Sequence, residues 1–443
     1  MRVALITLGC KTNHAESASL AERFREAGFT IVEASEEADI YILNSCTVTH
    51  EAGRKCEQQL RRLRRLHPGA RIAVMGCHAQ LKDLSQVVDF QRGVMDRLDL
   101  LSWARACRGD APLSPSRDIS IGPARQREFE SLGLLSEPGA TRAIVKIQDG
   151  CELFCSYCAI CLARGPVRSR DRAEILAEVR QLAARDVQEI VLTGIHLCSF
   201  EKERGRDSLA LAELCAEIAE IPAVRRIRLG SLEPNSMSDE VLERLAEIPE
   251  FCPHFHLSLQ SGSDSVLQRM RRRYTAEDYR QRVLKIRELF VRPALTTDLM
   301  VGFPEETEEE HQESLAFVRE LELSRLHIFR YSPRAKTPAA SWPQLPPELS
   351  KARAQEAQQL ADFLLHKFLV QNLPFPQEIL LEEEVDGHWE GYSRNYIRCR
   401  LLGTASHSRH SGQILTAQPV DIVADRLQLR EMSADATKSD MNL

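Results

Sequence analysis

What most constrains this chain is a repeated alternation of short apolar runs with longer amphipathic stretches. Residues 3–8 are apolar and end in Gly9, and an amphipathic stretch over 14–27 stops at Gly28, the residue that commonly closes a helix. Residues 40–43 end in Asn44-Ser45, and a polar helix over about 50–66 halts at Pro68-Gly69. A third run, 72–75, ends in Gly76. The order is βαβαβ, which requires a mostly parallel sheet, here expected to be flavodoxin-like.

From Arg142 the rhythm returns on a longer scale. Strand-like runs occupy 143–147, 189–193, 226–229, 254–259, 294–301 and 326–329, separated by helical patterns over 173–184, 210–221, 239–248, 276–290 and 308–322. Successive βα units of this kind predict a partial or full barrel instead of a doubly wound sheet. Periodicity alone does not choose between six and eight strands. Between the two series, prolines and glycines with little periodicity mark a linker. A charged helix over about 348–369 leads to Pro374 and Pro376, then to short alternating strands with Asp386-Gly387 as a hairpin turn. The expected units are therefore 1–112, a linker 113–139, a barrel 140–370, a small β domain 371–431 and a frayed tail 432–443. The fold class is α/β with a small all-β domain at the end.

Composition narrows the function classes. The chain has no apolar run of the roughly 18 residues a spanning helix needs, and no membrane association is expected. The opening MRVALITLGC is too short in its apolar part for a signal sequence, and Thr7 stands where a lipoprotein signal wants leucine, so a cytoplasmic location is expected. A net charge of −6 excludes a protein coated in positive charge, but not local basic patches. The 13 cysteines do not form the dense, short framework of a secreted disulfide protein. In a reducing compartment they are metal or cluster ligands, or simply small buried residues.

Position separates these alternatives. CELFCSYC places Cys151, Cys155 and Cys158 in a C-x3-C-x2-C loop directly after the first barrel strand. Three thiolates on a 4Fe-4S cluster leave one iron open to a substrate or cofactor, whereas structural zinc closes with four ligands. Cys161 extends the run, but a ferredoxin pattern fails at Gly165, where its fourth ligand would stand. A second trio is dispersed. Cys10, Cys46 and Cys77 each follow one N-terminal strand, at separations of 36 and 31 residues. The carboxyl ends of successive parallel strands share one edge, so these three thiols can converge on a second metal or cluster site. Small residues capping buried strands would explain them too, but then Cys56, Cys107, Cys198, Cys215, Cys252 and Cys399 should occupy such ends equally often. They fall on helices and scattered loops.

The CxxxCxxC loop and barrel rhythm resemble the radical S-adenosylmethionine enzymes. With both trios in view, the chain resembles their methylthiotransferase family over nearly its whole length. The likeness is carried by LGCKTN, LNSCTVT, GCHAQ, KIQDGCELFCSYC, LTGIHL, SLQSGSD, MRRRYT, DLMVGFPEET and YSPRAKTPAA, with EGYSRNYIRCRL in a TRAM-like RNA-binding β-barrel. LGCKTN and GIHL look like the branch that modifies N6-threonylcarbamoyladenosine in tRNA. The resemblance implies two 4Fe-4S clusters, S-adenosylmethionine, a tRNA substrate and an external electron donor of flavodoxin or ferredoxin type. The implied reaction is methylthiolation of adenine carbon 2 beside the anticodon. One S-adenosylmethionine would give the methyl group and another the radical, with sulfur coming through the N-terminal cluster.

It also implies roles for individual residues. Tyr157 matches an aromatic position near the adenine of S-adenosylmethionine; Thr193, Gly194, Gln260, Ser261 and Asp298 are candidate contacts to the same molecule. His196 is a branch-specific contact or a packed histidine, and no catalytic side chain is assigned. Arg271, Arg272 and Arg273, with Arg394, Arg398 and Arg400, are expected to contact RNA phosphates; the Arg61–Arg65 cluster reads as a solvated helix face. Departures from the family pattern are Cys161 for proline, Leu162 for tyrosine, Arg330 for proline and Glu305 for glycine. If the turn at 305 needs φ > 0, Glu305 costs on the order of 1 kcal/mol. The rival expectations are a sister enzyme acting on isopentenylated adenosine or a ribosomal protein, and a non-catalytic iron–sulfur electron carrier or RNA-binding scaffold.

Overall fold

The computed structural model of the chain describes residues 1–48, 50–110, 121–125, 128–132, 141–403 and 409–431. The expected tail 432–443 and most of the expected linker 113–139 lie outside the described residues.

The first unit is a five-stranded parallel sheet. Its spatial order is Thr30–Val32, Arg2–Thr7, Ile40–Ser45, Arg71–Gly76 and Phe90–Gln91, the 2-1-3-4-5 order of flavodoxin-like sheets. Helices Lys11–Glu26 and Leu98–Arg108 cover one face through Leu20, Phe24, Leu100 and Trp103. Helix His50–Leu66 covers the other through Leu60 and Leu63. The two edge strands are too short to show a period, which is why the sequence reading had only the three central ones.

The second unit is a partial barrel. Strands Arg142–Lys146, Glu189–Thr193 and Arg226–Leu229 form one parallel sheet; Ser231–Leu232, His254–Leu257, Ala294–Val301 and Arg325–Arg330 form another. Arg226–Leu229 continues through Gly230 into Ser231–Leu232, so the two sheets make one curved wall of six successive strands. Arg142–Lys146 and Arg325–Arg330 do not pair, and the wall stays open between them. Outward side chains such as Ile190, Leu192, Ile227, Phe255, Leu257 and Leu295 pack against the surrounding helices. Alternate positions turn polar groups to the lumen: His256 Nδ1 meets Thr296 Oγ1 at 2.9 Å, and Thr296 Oγ1 meets His254 Nε2 at 3.3 Å. Helix starts are fixed locally, with capping boxes at Thr275/Asp278 and Thr307/Glu310.

Helix Pro347–Asn372 leaves the barrel and delivers a closed five-stranded β-barrel built from Gln377–Val385, His388–Ser393, Arg398–Leu401, Ile414–Val423 and Arg426–Glu431. It seats on the amino-terminal ends of the large barrel's strands. Arg226 donates to Glu378 Oε1 (3.0 Å) and to the Tyr392 carbonyl (3.1 Å), while Arg228 donates to Glu189 (2.9 Å) and to the Arg394 carbonyl (3.0 Å). Tyr396 stacks between His254 and Tyr392 at 4.6 and 4.7 Å. Among the described residues no helix is long and apolar enough to cross a membrane.

Glu305 has φ 62°, inside the left-handed region that penalises a β-carbon. Glu305→Gly should therefore raise stability, by up to about 1 kcal/mol after the extra chain entropy of glycine is subtracted. The reading is a higher denaturant midpoint at unchanged slope; a midpoint that stayed level or fell would show that the Glu305 side chain compensates its own strain.

Candidate active site

The three dispersed cysteines lie at the ends of three adjacent strands. Thr7 is in register with Asn44, and Ser45 with Gly76, so the chain leaves the sheet at neighbouring points just before Cys10, Cys46 and Cys77. Gly9 has φ 115°, and a β-carbon there would lie 2.8 Å from Cys46 Cβ and 2.9 Å from its sulfur; only glycine lets the Cys10 turn pack on Cys46. Asn13 fixes the turn, donating to the carbonyls of Leu8 (2.8 Å) and Ser45 (3.1 Å). Cys10 is exposed, while Cys46 and Cys77 are buried. Burial pushes the Cys77 thiol up to about 12 and raises Cys46, and the neighbouring sulfurs add to both shifts.

The contiguous trio lines a cavity of about 290 Å³ together with Tyr157, His196, Glu233, Gln260, Arg272, Asp298 and Met300. Its loop is pinned by backbone and side-chain bonds. Cys151 N donates to the Gly165 carbonyl (3.0 Å), Ser156 N to Met270 (3.1 Å) and Ser156 Oγ to Arg269 (2.8 Å). Gly150, at φ 76°, passes so close to the Pro166 carbonyl that a β-carbon would lie 1.8 Å from it. Burial pushes the Cys151 thiol to about 12 and Cys158 higher still. All six thiols are free of disulfides. Among the described residues no three His, Cys, Asp or Glu side chains stand close enough for a single metal ion. Structural zinc closes with four ligands, whereas three thiols on a four-iron cluster leave one iron open, so the three free thiols that line this cavity fit a cluster better than zinc.

One arginine from the segment after the contiguous trio reaches the dispersed one. Arg164, at the end of the short helix Ile160–Arg164 that follows Cys158, is fully buried. Its Nε donates to Cys77 Sγ (3.1 Å), its Nη2 to Asn13 Oδ1 (2.8 Å), and its Nη1 to Glu16 Oε1 and to Asp149 (3.3 Å). Lys146 joins Glu16 and Asp149, both at 2.7 Å; Arg97 binds Glu16 (2.8 Å) and Glu130; Arg168 binds Asp149 (2.9 Å). Burial alone would raise the Glu16 carboxyl, but Arg164, Arg97 and Lys146 outweigh it and hold it down to about 2. The sequence reading missed this network. Further up the wall, Arg334 donates to Thr47 Oγ1 (2.5 Å), and Val48 itself lines the cavity.

The other expected residues divide. Tyr157, Gln260 and Asp298 line the cavity; Gln260 does so with φ 70°, a strained backbone held between Asp298 and Met300. Thr193, Gly194 and Ser261 are not on that wall. A β-carbon at Gly194 would meet Gln148 Oε1 at 2.8 Å, and Ser261 Oγ is used by Ser314 Oγ (2.9 Å). His196 lines the cavity, its pKa lowered to about 4 by burial and Arg272, and its Nε2 is buried without a hydrogen-bond partner. Cys161 is not part of the cavity lining; its Sγ donates to the Cys158 carbonyl (3.4 Å).

The arginines expected at RNA also divide. Arg271 and Arg273 are exposed. Arg272 instead turns inward, bound to Glu233 (2.6 Å) and Cys155 Sγ (3.3 Å), because the helix-ending turn at Arg271 (φ 59°) sends it to the cavity. Arg394 is held by the Phe251 carbonyl (3.0 Å) and that of Pro249. Arg398 and Arg400 pair with Glu390 at 3.4 and 2.5 Å. These four are committed to partners within the chain, which a run of basic letters does not reveal.

A curved parallel wall with a CxxxCxxC loop at its mouth defines a radical S-adenosylmethionine protein, and the family model described as the radical SAM superfamily matches residues 145–318. A second, described as uncharacterized protein family UPF0004, matches residues 2–94. A threonylcarbamoyladenosine tRNA methylthiotransferase MtaB from Bacillus subtilis is 36% identical over 414 residues, 91% of this chain and 90% of that one. The MtaB of Thermotoga maritima is 31% identical over 97% of this chain and 98% of its own. A tRNA-2-methylthio-N(6)-dimethylallyladenosine synthase from Paracoccus denitrificans is 35% identical over 80% of each chain. The chain belongs to the radical S-adenosylmethionine methylthiotransferase family. Among solved structures, the methyltransferase TsrM from Kitasatospora setae aligns with a TM-score of 0.56 at 14% identity over 76% of this chain and 75% of its own, a likeness of fold alone. Superfamily membership implies one 4Fe-4S cluster and S-adenosylmethionine.

Removing Arg164 would strand buried Glu16 and Asp149 with fewer partners. Arg164→Met should cost about 3–5 kcal/mol, seen as a lowered unfolding midpoint, with Arg164→Lys recovering part of it. A loss below about 1 kcal/mol would mean the network is not holding the two units together. Acid should act on the same contact. Glu16 is depressed from its usual 4.5, so its contribution is complete above that pH and disappears as pH falls toward 2. Protease sensitivity of the join between the units should rise over that window, and less so in Glu16→Gln.

Proposed function

We propose that this chain adds a methylthio group to carbon 2 of N6-threonylcarbamoyladenosine next to the anticodon of tRNA. In this reading Cys151, Cys155 and Cys158 hold the cluster that binds S-adenosylmethionine, and Cys10, Cys46 and Cys77 hold a second 4Fe-4S cluster. The observation that carries it is the reach of Arg164, six residues after Cys158, to Cys77 of the dispersed trio, together with a cavity lined by the contiguous trio and by Val48 of the first unit. An aromatic C–H has no acidic proton and no leaving group, so a radical source and a sulfur carrier are both required. Bound together, the clusters and S-adenosylmethionine supply a hydrogen-abstracting radical, a sulfur atom and a methyl group.

The chain's own residues bind, orient and exclude water. Leu153, Ile195, Met300 and Phe329 give the cavity an apolar lining. The Arg272–Glu233 pair braces the loop at Cys155; burial raises the Glu233 carboxyl against the pull of Arg272. In this reading the cavity-lining Tyr157, Gln260 and Asp298 contact S-adenosylmethionine, and the exposed Arg271 and Arg273 contact tRNA phosphates. An adenosine in the anticodon loop is accessible where one inside a helix is not. An external donor of flavodoxin or ferredoxin type would reduce the clusters, in the cytoplasm. The similarity to a dimethylallyladenosine synthase at 35% identity supports a second reading, the same chemistry on an isopentenylated adenosine.

Anaerobic reconstitution should give about two 4Fe-4S clusters per chain. The Cys10/Cys46/Cys77 triple alanine variant should keep one and still form 5′-deoxyadenosine, but transfer no methylthio group. A variant that kept both clusters would overturn the second site. Mass analysis of tRNA nucleosides from a deletion strain should show loss of the methylthiolated threonylcarbamoyladenosine. Loss of the isopentenylated product instead would favour the second reading, and no 5′-deoxyadenosine from the intact protein would favour a non-catalytic one.

A further inference from the structure

Among the described residues two arginines line the cavity, and they differ in how their charge is used. Arg272 is neutralised by Glu233 at 2.6 Å and touches Cys155 Sγ. Arg330 ends the strand Arg325–Arg330, is exposed, and has no carboxylate within salt-bridge distance among the described residues. An acidic group that senses it, Glu51 at the start of helix His50–Leu66, forms its own pair with Lys55 at 2.9 Å. The carboxylates on the cavity wall are also engaged: Glu233 by Arg272, and Asp298 by His256 Nε2 at 3.4 Å. Arg330 is therefore the cation on this wall left for an anion from outside. Its chain neighbours Phe329 and Tyr331 also line the cavity.

The two candidate substrates differ in charge at that place. A threonylcarbamoyl group on N6 ends in a carboxylate, whereas a dimethylallyl group has neither charge nor hydrogen-bond acceptor. A guanidinium presents a planar fork of donors that matches a carboxylate. An apolar substituent packed against it would strip its water and return nothing. Resting on the function proposed above, we infer that Arg330 receives the free carboxylate of the amino acid carried by the substrate adenine. It is a specificity-determining residue that selects an anionic N6 group over an apolar one.

The test is binding of fluorescein-labelled anticodon stem-loop oligonucleotides to the full-length protein, read by fluorescence anisotropy. One oligonucleotide carries N6-threonylcarbamoyladenosine as the free acid, a second its methyl ester, and a third N6-dimethylallyladenosine. The intact protein should prefer the acid to the ester by about tenfold, the scale of one hydrogen bond to a charged group. Arg330→Met and Arg330→Gln should bring that ratio close to one, and Arg330→Lys should keep part of it. Comparing acid with ester inside each variant removes any general effect on folding or phosphate binding. A ratio unchanged in both neutral variants overturns the role of Arg330. If the intact protein shows no preference yet, once reconstituted, methylthiolates threonylcarbamoyladenosine in tRNA, the inference fails while the function stands. If it methylthiolates only the dimethylallyl substrate, the functional reading fails first and takes the inference with it.

Discussion

The guanidinium of Arg164 is the contact on which the arrangement of this molecule depends. It leaves the loop after Cys158, crosses into the first unit, and there meets Cys77, Asn13 and Glu16 at once. A buried arginine is costly unless every donor is used and its charge is met. Around it the described residues place four cations, Arg164, Arg97, Lys146 and Arg168, against three carboxylates, Glu16, Asp149 and Glu130. The cluster is one negative charge short, and the side of Arg164 not facing a carboxylate faces the Cys77 sulfur. A thiolate there would balance the interior. The pull of Arg164 on that sulfur opposes the burial that raises the Cys77 thiol, while Glu16 and the neighbouring sulfurs add to the rise.

Much of this was legible in the letters, and the reasons are local. The central strands could be read because a buried parallel strand is a short apolar run, and each ended in a glycine or a polar pair that breaks it. The trio at Cys10, Cys46 and Cys77 could be read because strand ends in a parallel sheet share an edge, so position in the βα rhythm stands in for proximity. Even the strain at Glu305 was visible, as a non-glycine in a turn where the family keeps glycine.

What could not be read depends on partners far away in the chain. Nothing near Arg164 announces Glu16, 148 residues earlier. Arg271, Arg272 and Arg273 look alike in sequence, yet the left-handed turn at Arg271 sends the middle one inward and leaves its neighbours exposed. Arg398 and Arg400 look like a basic patch until the strand opposite supplies Glu390. Thr30–Val32 and Phe90–Gln91 are strands only because the sheet has edges for them to join.

The combination of units follows from where parallel sheets gather ligands. A flavodoxin-like sheet and a βα barrel both present loops at the carboxyl ends of their strands, and both leave those loops free of the packing that the strands themselves require. Six strands do not close a barrel here, and the wall stays open between Arg142–Lys146 and Arg325–Arg330. Lys11, the residue after Cys10, passes far enough in for its Nζ to lie 5.8 Å from the Tyr396 ring at the barrel's amino-terminal end. A closed eight-stranded barrel would have no such opening. The open side is therefore what lets the two units interlock, with Arg164 reaching Cys77 and Lys11 reaching the Tyr396 ring.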